Sequence, residues 1–275
     1  MGVLVDNVLK NCTGASPLKK GGQKTVSLTQ HSKFGKVVMK TGSFSSTTSY
    51  ERIKREVNIL KSINSHYFPK CYEFIVDNSD GSFIIIEEFI ENQIFSDVKL
   101  NFNSEVKLVG LLKELMNALN ILWEKSIVHR DLKPDNILFK TNFQPVIIDL
   151  GIARFLNMDS LTDSYASCGP CTPIYAAPEQ LKNYKNMIDI RTDFFALGII
   201  ILELYLGFHP FQPDKVKKSN YITENILNNC YVKPESKEGT SSNFSVLINK
   251  LLKHQPYLRF RKHDEVIDFI DQNWR

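Results

Sequence analysis

The sequence of 275 residues predicts an α+β fold with two lobes, a small, mostly-β lobe followed by a larger, mostly-α lobe. Up to about residue 90, short runs of β-branched and aromatic residues lie between turn residues, which is typical of strands. Beyond that point apolar residues recur at helical spacing. We therefore expect residues 1–17 to form an N-terminal extension, residues 18–90 the small lobe and residues 91–275 the large lobe.

Four strands and one helix are predicted in the small lobe. Residues 25–28 and 36–39 have strand composition on either side of a polar turn. Two further strands, at 72–76 and 83–89, flank Asn78–Gly81, a turn typical of a β-hairpin. Between the two strand pairs, apolar residues follow one another at spacings of four, three and three, which predicts a helix. These residues are Ile53, Val57, Leu60 and Ile63.

The large lobe begins with a predicted helix of about twenty residues, because a wide apolar stripe recurs there. The members of the stripe are Val106, Leu108, Leu111, Leu112, Leu115, Met116, Leu119 and Leu122. The longest apolar run, residues 194–202, ends at Glu203 and is too short to span a bilayer. We therefore expect no membrane partner.

Composition excludes several classes of protein. The net charge of +4 is a small excess of 34 basic over 30 acidic residues, which argues against a dedicated nucleic-acid binder. Five cysteines, without a secretory signal peptide, favour reduced thiols in the cytoplasm. We expect a cytoplasmic protein that is a monomer or a transient dimer, with secretion by a signal-independent route left open.

The most informative segment is His129–Asn136, with the sequence HRDLKPDN. Thirteen residues after Asn136 follows Asp149-Leu150-Gly151, preceded by an apolar strand. With these two motifs, the sequence resembles the eukaryotic-type protein kinase family over about residues 18–270, and Lys133 together with Thr172 indicates its serine/threonine branch. The resemblance implies the bilobal protein kinase fold, with an ATP-binding small lobe.

The resemblance also assigns the chemistry of phosphoryl transfer, which needs charge neutralisation and a positioned hydroxyl. Asp131 would orient the attacking hydroxyl and take its proton, and Lys133 would steady the phosphoryl group. Asn136 and Asp149 would bind Mg²⁺, with Mn²⁺ as an alternative, because hard cations prefer oxygen ligands. The implied donor is ATP, and the implied acceptors are Ser and Thr hydroxyls of protein substrates, including the protein's own.

In the small lobe, the resemblance places Lys40 on the α- and β-phosphates and pairs it with Glu56. The glycine-rich loop departs from the family pattern, because Lys19 and Lys24 replace its first and third glycines. These lysines either supply compensating charge or point to solvent. The implied ATP contacts are Leu18, Gly21, Gly22, Val26, Lys40, Glu88 and Ile90.

The hinge between the lobes is expected at Glu87–Ile90. In the favoured register Glu88 is the hinge acid and Glu87 is the gatekeeper at the back of the adenine pocket. A shift of one residue would make Ile86 the gatekeeper, so both registers stay open.

The segment from Asp149 to Glu179 corresponds to the family's activation segment. It contains Cys168-Gly-Pro-Cys171, which has the spacing of a redox dithiol but lies in a loop, so we expect a substrate platform and leave a regulatory disulfide open. Thr172 falls on the threonine that bonds the catalytic Asp and Lys in serine/threonine kinases. Candidate phosphorylation sites are Ser160, Thr162, Ser164 and Ser167.

Phosphate at one of those sites would dock on Arg130, whereas constitutive activity without phosphorylation is the alternative. Glu179 is expected to pair with Arg259, and Asp193 to stabilise the loop around Asp131. The implied structural or regulatory positions are His129, Arg130, Leu60, Leu150, Glu179, Asp193 and Arg259.

Two other functions stay open. A pseudokinase scaffold would explain the altered glycine-rich loop. A kinase-like small-molecule phosphotransferase would share the Asp131 and Asp149 motifs, but it would lack Ala-Pro-Glu and its arginine partner.

Overall fold

The computed structural model describes residues 8–20, 24–44, 46–91, 95–156 and 171–274. The described residues of Met1–Asn92 and Val146–Gly151 form one compact unit, the first unit. Those of Gln93–Pro145 and Ile152–Arg275 form the second unit. The segment around Asp149 therefore belongs to the first unit, although it follows the beginning of the second unit in the sequence.

The first unit is built on a five-stranded antiparallel sheet with the order β1-β2-β3-β5-β4. The strands are β1 (Cys12–Lys20), β2 (Lys24–His31), β3 (Gly35–Ser43), β4 (Cys71–Asp77) and β5 (Ser82–Glu88). Helix α1 (Thr47–Ser62) follows β3, begins at the capping box of Ser46 with Ser49, and ends before Ile63. These elements confirm the predicted β-rich beginning of the fold.

Strand β1 was not predicted, and it begins inside the segment expected to be an N-terminal extension. Its sequence, CTGASPLKK, contains Gly14 and Pro17 and has few β-branched residues. The pairing with β2 is irregular between Thr13 and Ser16, where Gly14 has a φ of 66°. Because β1 is an edge strand, it tolerates both a bulge and a proline that cannot donate a hydrogen bond.

The sheet buries apolar side chains on both faces, because alternate residues of a strand point to opposite sides. On one face Ile84 and Ile86 pack with Val37 and Met39. On the other face Phe83 and Ile85 pack against α1, through its buried residues Ile53 and Val57. Helix α1 therefore covers the face of β5 to which Phe83, Ile85 and Glu87 belong.

The second unit is mostly helical. Its α-helices are α2 (Phe95–Val98), α3 (Glu105–Trp123), α4 (Pro178–Leu181), α5 (Ile190–Leu206), α6 (Pro213–Val216), α7 (Ile222–Leu227), α8 (Ser242–Leu251) and α9 (His263–Asn273). Its short strands are β6 (Ile127–Val128), β7 (Ile137–Phe139) and β9 (Arg154–Phe155), whereas β8 (Pro145–Ile147) belongs mostly to the first unit. Helix α3 has the predicted apolar stripe, although Val106 is exposed. None of the described helices combines the length and the apolar composition needed to cross a bilayer.

Helix α5 is the centre of the second unit. Asp189 caps its N-terminus by accepting a hydrogen bond from Arg191 N at 2.8 Å, and it ends at Gly207, whose φ of 86° suits glycine. At Gly198 an added Cβ would lie 2.9 Å from Leu252 Cδ2, so glycine permits close packing. This buried helix carries Asp193 into the core of the unit.

The loop after α5 contains a buried histidine, His209. Its Nε2 lies 3.0 Å from the carbonyl oxygen of Ile174, and its Nδ1 accepts a hydrogen bond from Phe211 N at 3.3 Å. Nδ1 is therefore unprotonated and Nε2–H is the donor. Burial lowers the pKa of His209 from 6.5 to about 4, although the bond to Ile174 opposes this shift.

This pKa predicts a loss of stability in mild acid. The folded-state pKa of about 4 lies below the unfolded value of 6.5, so the unfolded state binds more protons between these pH values. The stabilisation that neutral His209 gives the folded state is complete above pH 6.5. It is lost as the pH falls toward 4, which lowers the free energy of unfolding by about 3 kcal/mol in total. Urea unfolding across this range should show a shallower pH dependence for His209→Phe than for wild type. Equal slopes for the two proteins would contradict the prediction, and the exposed His66→Gln serves as the control.

Candidate functional site

The predicted site residues of the second unit lie mainly in the Asp131 loop, residues 129–136. The loop follows β6 and ends in the 3₁₀ turn Pro134–Asn136 before β7. Arg130 has a φ of 71°, a left-handed conformation that is unfavourable for a residue with a Cβ. The loop therefore depends on contacts that fix its backbone.

Asp193 on α5 supplies those contacts. Its Oδ1 accepts a hydrogen bond from Arg130 N at 2.9 Å, and its Oδ2 accepts one from His129 N at 3.0 Å. Trp123 Nε1 donates to Oδ2 at 2.9 Å. Asp193 as a whole is only 1% exposed. Burial raises the pKa of Asp193, while the nearby His129 and these donors oppose the rise. The carboxylate thus holds two consecutive amides directly before Asp131.

The carboxylate of Asp131 is itself held by four hydrogen bonds. Thr172 donates to Oδ1 through its backbone N at 2.9 Å and its hydroxyl at 2.6 Å. Lys133 Nζ donates to Oδ2 at 2.9 Å, and Asn136 Nδ2 donates to the same oxygen at 3.3 Å. Lys133 Nζ also donates to Thr172 Oγ1 at 2.7 Å. The structure therefore brings Asp131, Lys133, Asn136 and Thr172 together around one carboxylate, which is able to orient a hydroxyl and accept its proton.

A second anchor fixes the chain after Thr172. Glu179 at the start of α4 and Arg259 form a buried bidentate pair, with NH1–Oε1 at 2.7 Å and NH2–Oε2 at 2.9 Å. Thr192 Oγ1 donates to Glu179 Oε1 at 2.9 Å. The remaining donors of Arg259 bind the carbonyl oxygens of Lys253, Arg191 and His254. This pair therefore ties α4 to the start of α5 and to the loop after α8.

In the first unit, Lys40 lies between two glutamates. The expected partner, Glu56, is 3.6 Å away at Oε1, whereas Glu87 Oε1 is closer, at 2.8 Å. Glu56 is also in tight contact with the ammonium group of Lys24. Lys24 therefore points inward and not to solvent, and neither its contact nor that of Glu87 was expected.

Asp149 and its neighbours adopt a strained turn in the same unit. Asp149 is exposed and has a φ of 65°, and its Oδ1 accepts a hydrogen bond from Gly151 N at 3.2 Å. A Cβ at Gly151 would lie 3.0 Å from Asp149 Oδ1 and 3.4 Å from Glu56 Oε2, which favours glycine there. Leu150 and Leu60 are buried in the first unit.

The other predicted nucleotide contacts are placed only in part. Glu88 Oε2 accepts a hydrogen bond from Lys70 N at 3.1 Å, and Ile90 is buried. Leu18 is exposed and Val26 is half-buried. Gly21 and Gly22 lie outside the described residues, and so do Cys168 and the candidate phosphorylation sites Ser160, Thr162, Ser164 and Ser167.

The sequence is similar to those of known proteins over most of its length. A family model described as the protein kinase domain matches residues 18–268. A probable serine/threonine-protein kinase of Dictyostelium discoideum is 30% identical over 247 residues, which cover 80% of this chain and 35% of that protein. A dual specificity mitogen-activated protein kinase kinase of Caenorhabditis elegans is 30% identical over 237 residues, which cover 80% of this chain and 52% of that protein. The chain spans between about a third and a half of the length of these relatives.

The Glu179–Arg259 pair predicts a large loss of stability when one partner is removed. Arg259→Met leaves Glu179 as a buried carboxylate without its cation, so we expect the free energy of unfolding to fall by about 3–5 kcal/mol. Chemical denaturation measures this loss. Asp271→Asn, which breaks the exposed pair with Lys113, is the matched control and should change the free energy by less than about 1 kcal/mol. Equal losses for the two variants would contradict the anchoring role.

Proposed function

The chain belongs to the protein kinase family, and on that premise we propose that it is a serine/threonine protein kinase. It transfers the γ-phosphoryl group of Mg·ATP to Ser or Thr hydroxyls of proteins, its own included. The observation that carries the proposal is the set of four hydrogen bonds that orients the Asp131 carboxylate. A scaffold without catalysis would not need a carboxylate oriented in this way.

The roles of the residues around Asp131 follow from their contacts. Asp131 orients the acceptor hydroxyl and takes its proton as the bond to phosphorus forms. Lys133 lies between Asp131 and Thr172, so its ammonium group is held at the position where negative charge would develop. Thr172 links the chain that precedes α4 to the catalytic carboxylate. A hydroxyl acceptor would therefore meet a base, a cation and a fixed backbone together.

Asp149 and Asn136 each carry the kind of donor that a divalent cation prefers. Asp149 provides an exposed carboxylate in the first unit, and Asn136 provides an amide oxygen in the second unit. Both supply oxygen, the atom that Mg²⁺ prefers. When bound, Mg²⁺ neutralises phosphate charge, and Mn²⁺ is the alternative. Lys40 is the predicted phosphate-binding residue of the first unit, which we infer to be the ATP-binding lobe.

Specificity for Ser and Thr hydroxyls is supported by Lys133 and Thr172. Lys133 lies in HRDLKPDN, where tyrosine kinases carry a different sequence, and its contact with Thr172 belongs to the same cluster as Asp131. The buried Glu179–Arg259 pair argues against a small-molecule phosphotransferase, in which the Ala-Pro-Glu motif and its arginine are missing. Protein substrates are therefore the better proposal.

Regulation and cellular context remain predictions. Arg130 is buried beside Asp131 and is the proposed docking point for a phosphorylated activation segment, with constitutive activity as the alternative. A disulfide between Cys168 and Cys171 is a second proposed control. We infer action in the cytoplasm, as a monomer or transient dimer, without a nucleic-acid or membrane partner.

The proposal predicts that Asp131→Asn abolishes most phosphoryl transfer while the protein stays folded. The amide keeps the size of the side chain but cannot take a proton, so kcat should fall about 10²- to 10⁴-fold. Affinity for ATP should stay within about threefold, because the change affects the chemical step. Transfer of labelled γ-phosphoryl from ATP to casein and to the protein itself measures the rate.

Asp268→Asn removes an exposed carboxylate of α9 and is the control for the loss of one negative charge. Labelling that is as fast with Asp131→Asn as with Asp268→Asn would contradict the proposed role. Labelling of neither protein nor casein by the wild type would favour the scaffold.

A further inference from the structure

Three charged side chains of the sheet lie on the side that α1 covers, where they meet Glu56 of α1. In an antiparallel sheet, opposite residues share a face, and so do residues two apart along one strand. Val26 and Ile85 lie opposite Lys40 on its two neighbouring strands. Lys24 is two residues before Val26, so it shares the face of Lys40. Glu87 is two residues after Ile85 and shares this face as well.

The four side chains form three ion pairs, two of which, Lys24–Glu56 and Lys40–Glu87, were not expected. Lys24 contacts Glu56 Oε2. Lys40 Nζ lies 2.8 Å from Glu87 Oε1, and 3.6 Å from Glu56 Oε1. The glutamate side chains are almost fully buried, at 1% exposure for Glu56 and 4% for Glu87. Among the described residues, each glutamate thus has a different lysine as its nearest cation.

The two additional charges, Lys24 and Glu87, depend on each other. Buried charges require opposite charges nearby, because they have lost their hydration. Without Lys24, the single ammonium of Lys40 would face the carboxylates of Glu56 and Glu87. Without Glu87, both ammonium groups would share Glu56. Two lysines and two glutamates balance, whereas removal of either additional charge unbalances the cluster.

The ionisation of Lys40 and Glu87 agrees with this balance. Burial alone would lower the pKa of the Lys40 ammonium, but Glu87, Glu56 and Asp149 raise it above its usual value. Burial raises the pKa of the Glu87 carboxyl, and Lys40 opposes that rise. Lys40 is therefore the main charge that favours ionised Glu87, with a smaller effect from Lys24, and a ligand that attracts Lys40 weakens the Lys40–Glu87 pair.

We propose that Lys24 and Glu87 are coupled positioning residues that set how tightly the protein binds a nucleotide. Glu87 competes with the nucleotide phosphates for the ammonium group of Lys40. Lys24 neutralises Glu56, so that two carboxylates do not compete for Lys40 at once. The proposal rests on the proposed kinase function, because it takes Lys40 to be the phosphate-binding lysine.

Binding of Mg·ADP measures this competition without any phosphoryl transfer. Glu87→Gln removes the competing charge and keeps the side-chain size, so the dissociation constant should fall about tenfold. Lys24→Gln leaves both glutamates to Lys40, so the dissociation constant should rise about tenfold. The double variant should return to within about threefold of wild type, and Lys24→Arg should behave as wild type. Isothermal titration calorimetry at constant pH and salt gives all five constants.

The control variants are Lys61→Gln, at an exposed position of α1, and Glu51→Gln, at a half-buried position of α1. Each removes one charge of the same sign, and both should bind Mg·ADP as the wild type does. Denaturation of the nucleotide-free variants separates positioning from folding, since a structural role would weaken binding and stability together in both single variants. If Lys24→Gln fails to fold, the dissociation constant of Glu87→Gln alone tests the proposed competition for Lys40. Unchanged or weaker binding by Glu87→Gln, with normal binding by the wild type, overturns this inference only. Failure of the wild type to bind Mg·ADP overturns the proposed function as well.

Discussion

The buried carboxylate of Asp193 is the contact on which the Asp131 loop depends. A left-handed Arg130 is unfavourable by itself, and the two amides of His129 and Arg130 would be costly to bury without acceptors. Asp193 satisfies both amides from α5, a helix buried along most of its length. The core of the second unit thus sets the geometry of the loop, and the bonds to His129 and Arg130 fix the position of Asp131, the next residue.

The two units solve the problem of buried charge in different ways. In the second unit the Asp193 carboxylate is compensated by neutral N–H donors, and Glu179 by one bidentate arginine, so each arrangement has one stable geometry. In the first unit Lys24, Lys40 and Glu87 of the sheet meet Glu56 of α1, and Lys40 lies within 4 Å of both glutamates. We infer that the first arrangement favours rigidity and the second favours a response to a charged ligand.

Much of the fold could be predicted from the sequence, because periodicity and motif spacing are local signals. The strand and helix order of the first unit, and the long helix α3, followed from them. Strand β1 could not be predicted, since its pairing with β2 is a tertiary contact made by a sequence with poor strand propensity. The ion pairs among Lys24, Lys40, Glu56 and Glu87 could not be predicted from the sequence either. Only the alternation of residues along β2 and β5 indicates that Lys24 and Glu87 share the face of Lys40.

Hydrogen exchange of the backbone amides in residues 127–136 tests most directly whether Asp193 fixes the Asp131 loop. Asp193→Asn replaces one acceptor oxygen by a donor, so exchange of the His129 and Arg130 amides should accelerate about tenfold or more. Amides of α8, in the same unit, should exchange as in the wild type and serve as the internal reference. Unchanged exchange at His129 and Arg130 in this variant would contradict the account.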